Sequence, residues 1–333
     1  MNTPASSPAS SLEPRTPRLL DRLVPVSPQW RIPPRKAERL GWLQFLLGVP
    51  VVIGAQTFAV ILAVITGFAR LTANGGVETL SGGGIVTAIS AAPLVLLGYW
   101  LLVRLIGGRP VIELGGRGAA LREFSVGLAM GALLMCAVIA VLTLLGSYHV
   151  VDVGWNTGVL AGLQAGILAG FTEEILVRGV MLRLIEGWLG TWWALAITAV
   201  FFGVAHLGNP QATVFGAVAI ILEAGILLGA CYLLTRRLWL AIGVHAAWNF
   251  VQGGIFGSDI SGTGSGRGLI EARFTGPDLL TGGAMGIEGS IVAVLLCTTA
   301  GLAVLVAVHR RGLIVPPCWR RPAQAAPEIT QPA

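Results

Sequence analysis

The sequence predicts an all-α protein, a polytopic helical bundle in the membrane with about eight transmembrane helices. Three observations carry this expectation. Of 333 residues, 54% are hydrophobic and only 11% charged, where soluble domains carry roughly 25% charged residues; mean hydropathy is +0.79. Eight segments approach the roughly 20 mostly apolar residues that a crossing needs. Arginines gather in short clusters between those segments, and the clusters fall on alternate connections.

Taken in order, residues 1–40 are rich in Pro, Ser, Ala and Arg and lack an apolar stretch long enough for a signal peptide, so they read as a disordered cytoplasmic tail. The crossings run near 41–69, 84–106, 124–146, 157–182, 189–207, 212–235, 238–256 and 288–308, within a membrane domain of 41–309. Residues 310–333 read as a second disordered tail. The tail before the first crossing holds seven basic residues, and the 104–122 connection holds Arg104, Arg109, Arg117 and Arg122. Arg183 follows the fourth crossing, Arg236-Arg237 ends the sixth, and Arg310-Arg311 ends the eighth. Connections 147–156 and 208–211 carry no Lys or Arg, and Arg267 and Arg273 in 257–287 are offset by Asp259, Glu271 and Asp278. By the positive-inside rule, both termini are expected in the cytoplasm of an integral cell-membrane protein.

The net charge of +6 is therefore read as a topology signal and not as a nucleic-acid footprint. The expected partners are membrane lipid and a peptide or protein presented at the membrane. Cys136, Cys231, Cys297 and Cys318 show no CxxC spacing, which supports neither a zinc knuckle nor a disulfide framework. Trp42, Trp100, Trp188, Trp192, Trp193 and Trp239 lie near expected interfaces, and Gly225 and Gly229 let helices approach closely.

Against this apolar background stand two carboxylates and an arginine, Glu173-Glu174-x3-Arg178, on the fourth crossing. Charge at membrane depth costs ~2.5–3.5 kcal/mol per residue at a helix centre, so such residues mark function by default. Glu174 and Arg178 are four apart and share a helix face, which pairs them and leaves Glu173 for chemistry. The fifth crossing carries Phe202-x3-His206, where the ring can pack over the imidazole. The seventh carries His245-x3-Asn249, two polar heads on one face. Glu223, near the centre of the sixth, either touches this site or neutralises an arginine. A general base, a histidine to orient water, and amide or imidazole donors for an oxyanion are what peptide hydrolysis requires. The same side chains hold zinc and activate its water. Counted at ~1.5 Å per residue from the cytoplasmic ends, Glu173 and His245 lie ~12–15 Å deep and His206 nearer ~22 Å, which sets His206 apart.

The ordered set Glu-Glu-x3-Arg, Phe-x3-His and His-x3-Asn resembles the CAAX prenyl endopeptidase and bacteriocin-processing group of intramembrane proteases, also called CPBP or Abi. The resemblance covers about 157–255 and implies an endopeptidase, in a family that carries a metalloprotease label, with Glu173 as general base and His206 as its partner. His245 and Asn249 would stabilise the oxyanion or, on a metal reading, His245 would join His206 as ligand. Glu174, Arg178 and Phe202 match the same motifs. A zinc site needs a third protein ligand, which Glu173 or Glu174 would have to supply. Asn249 beside His245 is better suited to an oxyanion than to zinc, so the sequence leans to a metal-free mechanism. The alternatives are a non-proteolytic scaffold or immunity-like protein and, beyond it, a proton-coupled transporter.

Overall fold

In a computed structural model, residues 18–30, 39–72, 77–79, 82–264 and 266–321 are described. Seven helices among them are long and apolar enough to cross a membrane. They are the first to sixth spans, Gly41–Ile65, Gly83–Ile106, Arg117–Leu144, Thr157–Leu189, Thr191–Gly208 and Val214–Thr235, and the eighth, Ile291–Arg310. The seventh is an 11-residue α-helix, Trp239–Asn249, continued by six π-helical residues, Phe250–Ile255. It is short because it starts at a turn, Arg236–Leu238, that is itself buried. Every residue from Leu240 to Asn249 is buried too. A helix enclosed all round is a core helix, and here it is the axis of the bundle.

Two rows of glycine hold that axis. Gly127 and Gly131 of the third span lie against the backbone of Leu240, Gly243 and Val244. From the other side, Gly166 and Gly170 of the fourth span lie against Ile242, Ala246 and Phe250, and Gly162 against Gly253 and Gly254. A methyl group at Gly131 would fall on the Val244 carbonyl, and one at Gly166 on the Ala246 carbonyl. Small residues at four-residue spacing allow this approach. Gly225 and Gly229 do the same for the sixth span against Ala199 and Leu195 of the fifth.

Several helix starts are capped by side chains that accept a backbone N–H. Asn156 accepts from Gly158 at 2.8 Å, Thr213 from Gly216 at 3.0 Å, and Ser290 from Val292 at 3.1 Å. Four spans contain π-helical stretches, at Leu102–Ile106, Ile175–Leu182, Ile221–Gly225 and Phe250–Ile255. The wider turns leave carbonyls open to side chains. Gly179 O accepts from both Tyr99 Oη at 3.1 Å and Arg183 Nε at 2.7 Å.

On one expected side of the membrane the connections carry two strand pairs, one within a single connection and one that joins two. Strand β1 (Ala69–Leu71) pairs antiparallel with β2 (Val77–Thr79). Strand β3 (Tyr148–Val153), after the third span, pairs antiparallel with β4 (Ile270–Phe274), after the seventh. At the opposite end the chain departs from the expected disordered tails of 1–40 and 310–333. Residues 18–30 include a short helix, Leu19–Leu23, and bury Val24 and Ser27. Their backbone carbonyls satisfy arginines at the ends of three helices: Arg22 O accepts from Arg122 at 2.6 Å, Val24 O from Arg311 at 3.0 Å, and Pro25 O from Arg237. Residues 311–321 also fold back, with Thr191 N donating to Val315 O at 2.9 Å and Arg321 Nη2 to Glu186 O at 3.0 Å. The remaining parts of the expected tails, 1–17, 31–38 and 322–333, lie outside the described residues.

Three arginines read as topology markers are buried in ion pairs or hydrogen bonds. Arg236 meets Glu186 at 2.5 Å, Arg237 forks onto Glu123, and Arg183 donates to Gln44 Oε1 at 2.8 Å. The four cysteines are free thiols.

Candidate active site

The fourth span delivers two neighbouring carboxylates into different surroundings. Glu174 is fully buried, and its Oε1 accepts from Arg178 Nη1 at 2.8 Å and from His245 Nδ1 at 2.8 Å. The spacing anticipates the first of these bonds, and the fold adds the second. Arg178 Nη2 also reaches Ala224 O at 3.2 Å, in the π-helical stretch of the sixth span. Glu173 keeps 38% of its side chain exposed and lines an open cleft. Its Oε2 has no hydrogen-bond partner and lies 4.0 Å from His245 Nε2. His245 therefore stands between the two carboxylates, one ring nitrogen toward each.

Phe202 is the hub on the fifth span. Its ring takes the Arg178 guanidinium at 4.5 Å, the His206 imidazole edge-on at 4.8 Å and the His245 imidazole edge-on at 5.9 Å. Its carbonyl lies 2.7 Å from His206 Nδ1, which leaves Nε2 as the ring nitrogen for other partners. The depth counted from the sequence set His206 apart; the fold brings it to the site. The fourth span continues past 182 to Leu189, so Glu173 and His206 lie roughly 24 Å and 22 Å along their helices from the shared turn at Gly190.

Two spaces meet at these residues. The open cleft is lined by Glu173, His206 and Asn249 together with Gln56 of the first span and Asn209. An inner cavity lies behind it, and Glu223 and His245 line it. Phe202, His206, Asn249 and Ser261 line both. Glu223, left open between two roles, thus faces the inner cavity and not an arginine.

Glu288, Trp248 and Ser261 escaped the sequence reading. Glu288 is buried in the turn Ile287–Gly289, accepts from Trp248 Nε1 at 3.0 Å and Ser261 Oγ at 2.5 Å, and lines the inner cavity. Ser261 sits in the left-handed region at φ +52°, and its carbonyl accepts from Asn209 Nδ2 at 2.6 Å. The one readable signal was an acidic residue at the mouth of an apolar span.

His206 and His245 both turn Nδ1 to protein acceptors, as metal-binding histidines also do, so the ring orientation does not decide for or against zinc. Among the described residues, however, no three His, Cys, Asp or Glu side chains are grouped as ligands. The expected set of His206, His245 and Glu173 does not fit, in this arrangement, a site with three protein ligands.

A family model described as Rce1-like, Type II CAAX prenyl endopeptidase, matches residues 154–251. That stretch holds both carboxylates, Arg178, Phe202, His206, Glu223, His245 and Asn249. No curated protein and no solved structure matches the chain.

Proposed function

We propose, from the chain's membership through residues 154–251 of the Type II CAAX prenyl endopeptidase Rce1-like family, that it hydrolyses a peptide bond of a membrane-associated substrate, with Glu173 as general base. One observation carries the assignment. Of the adjacent carboxylates, Glu174 is buried with its Oε1 tied to Arg178 and His245, while Glu173 keeps 38% of its side chain exposed and lines the cleft.

The steps follow from these positions. Glu173 takes a proton from water in the cleft, and the water oxygen attacks the scissile carbonyl carbon. His206, whose Nδ1 faces the Phe202 carbonyl, uses Nε2 to orient that water. Negative charge then develops on the carbonyl oxygen, where His245 Nε2 and the Asn249 amide act as donors. For His245 this role requires protons on both nitrogens, one of them held on Glu174. The C–N bond breaks, and the proton held by Glu173 passes to the departing amine. Leu168, Leu176 and Val177 give the cleft apolar walls suited to a lipid-borne peptide. Both termini face the cytoplasm in this reading, with the β3–β4 pair on the opposite side.

The test uses the full chain in proteoliposomes with a fluorogenic, farnesylated CAAX peptide. Cleavage by the wild type that disappears in Glu173→Gln, with folding preserved, is the expected result. Turnover that survives this substitution overturns the assignment.

A further inference from the structure

The inner cavity carries polarity that the proposed hydrolysis does not use. Glu223 is 2% exposed, sits in the π-helical stretch Ile221–Gly225, and lines the cavity with an Oε2 that has no hydrogen-bond partner. An unsatisfied buried carboxylate oxygen is costly and calls for a partner that the protein itself does not supply. Glu288 faces the same space but is already held by Ser261 and Trp248. Leu227, Val244 and Cys297 complete the walls.

Size and chemistry narrow the occupant. There is room for about two waters and not for an amino-acid side chain. A coordinated metal lacks ligands, since no three suitable side chains are grouped among the described residues. A buried water needs two to four polar partners, and the cavity offers Glu223 Oε2, Glu288, His206 and Asn249.

We propose that the inner cavity is a resident-water site, with one or two waters held by Glu223 and shared with Glu288. Phe202, His206, Asn249 and Ser261 form a wall one side chain thick between this store and the cleft. The store replaces the water consumed at Glu173, in a membrane interior where bulk water is scarce. This supply role rests on the hydrolytic reading; the presence of water does not.

Cys297 makes the site testable without an activity assay. It is 2% exposed and lines the cavity, while Cys231 is 0% exposed and lines neither space. X-ray hydroxyl-radical footprinting of the full chain in nanodiscs oxidises buried thiols only where water lies beside them. Cys297 is expected to be oxidised several-fold faster than Cys231. Glu223→Leu should lower Cys297 to the level of Cys231, whereas Glu223→Gln, which keeps hydrogen-bonding atoms, should retain most of the signal. Equal silence of the two thiols in the wild type means a dry cavity and overturns the proposal. Unchanged labelling in a folded Glu223→Leu variant removes Glu223 as the anchor. With the CAAX peptide, kcat is expected to fall in Glu223→Leu while KM holds, and an unchanged kcat overturns the supply role. A chain that cleaves nothing but labels at Cys297 separates failure of the hydrolytic reading from failure of this one.

Discussion

Glu174 and His245 lie 71 positions apart in sequence and are joined by a 2.8 Å hydrogen bond from His245 Nδ1 to Glu174 Oε1. The bond decides which imidazole nitrogen is left for the cleft, and it makes Glu174 Oε1 the shared partner of Arg178 and His245.

Removing Glu174 leaves Arg178 uncompensated in an apolar interior. Glu174→Ala is expected to cost about 3–5 kcal/mol, as is usual when one member of a buried pair is deleted. Arg178→Ala should act in the same direction. Glu173→Gln touches neither bond and should melt within about 0.5 kcal/mol of the wild type. Melting curves and yields of monodisperse protein in detergent check this, and equal behaviour of all three variants contradicts the division of labour.

The kinetic pattern should invert that ranking. Glu173→Gln is expected to lower kcat by about 10²–10⁴ through loss of the base. Asn249→Ala is expected to lower it by about 10²–10³ through loss of one oxyanion donor. In both cases KM should move little, since the lost interactions belong to the transition state. A large rise in KM with kcat intact would reassign these residues to substrate binding.

The glycine rows predict a sharp contrast. Gly131→Ala and Gly166→Ala drive a methyl group into the carbonyls of Val244 and Ala246, and each should destabilise by about 1–3 kcal/mol. Both should also reduce turnover, because His245 and Asn249 ride on the displaced helix. Gly54→Ala, with no atom within 4 Å of the added carbon, should be neutral or slightly stabilising. Thermal melts of the three variants provide the comparison.

Sidedness is open to reporter fusions. Asp152 lies in β3 and pairs with Glu271 of β4, so fusions after Asp152 and Asp278 should report the same side, expected to be non-cytoplasmic. Fusions after Arg117 and Arg311 should report the cytoplasm. A cytoplasmic signal at Asp278 removes the eight-span arrangement.

The spans and the polar residues on the fourth, fifth and seventh were legible because charge in an apolar run is conspicuous. Less legible was everything set by backbone. The carbonyls of Arg22, Val24 and Pro25 that receive Arg122, Arg311 and Arg237 have no side-chain signature, so a folded segment read as a disordered tail. Glu288 and Ser261 reach the inner cavity only because the long connection before the eighth span folds back into the bundle. The depth count failed at a boundary, because the fourth span runs past residue 182 to Leu189.

The enclosed seventh helix makes one wall of the cleft incompressible. Where backbone already touches backbone, no rotamer change can yield space, and the helix can neither slide nor tilt without separating its neighbours. Any widening that admits a peptide must come from the facing wall, where Gln56 and Phe201 contribute ordinary side chains from the first and fifth spans. On the first span Gly54 faces open space, while Gly48 lies against the Val180 and Leu176 side chains. On the proposed hydrolytic reading, the enclosed helix is an anvil that keeps two catalytic candidates in register, and the side chains of the first and fifth spans are the flank that would give way to a lipid-borne chain.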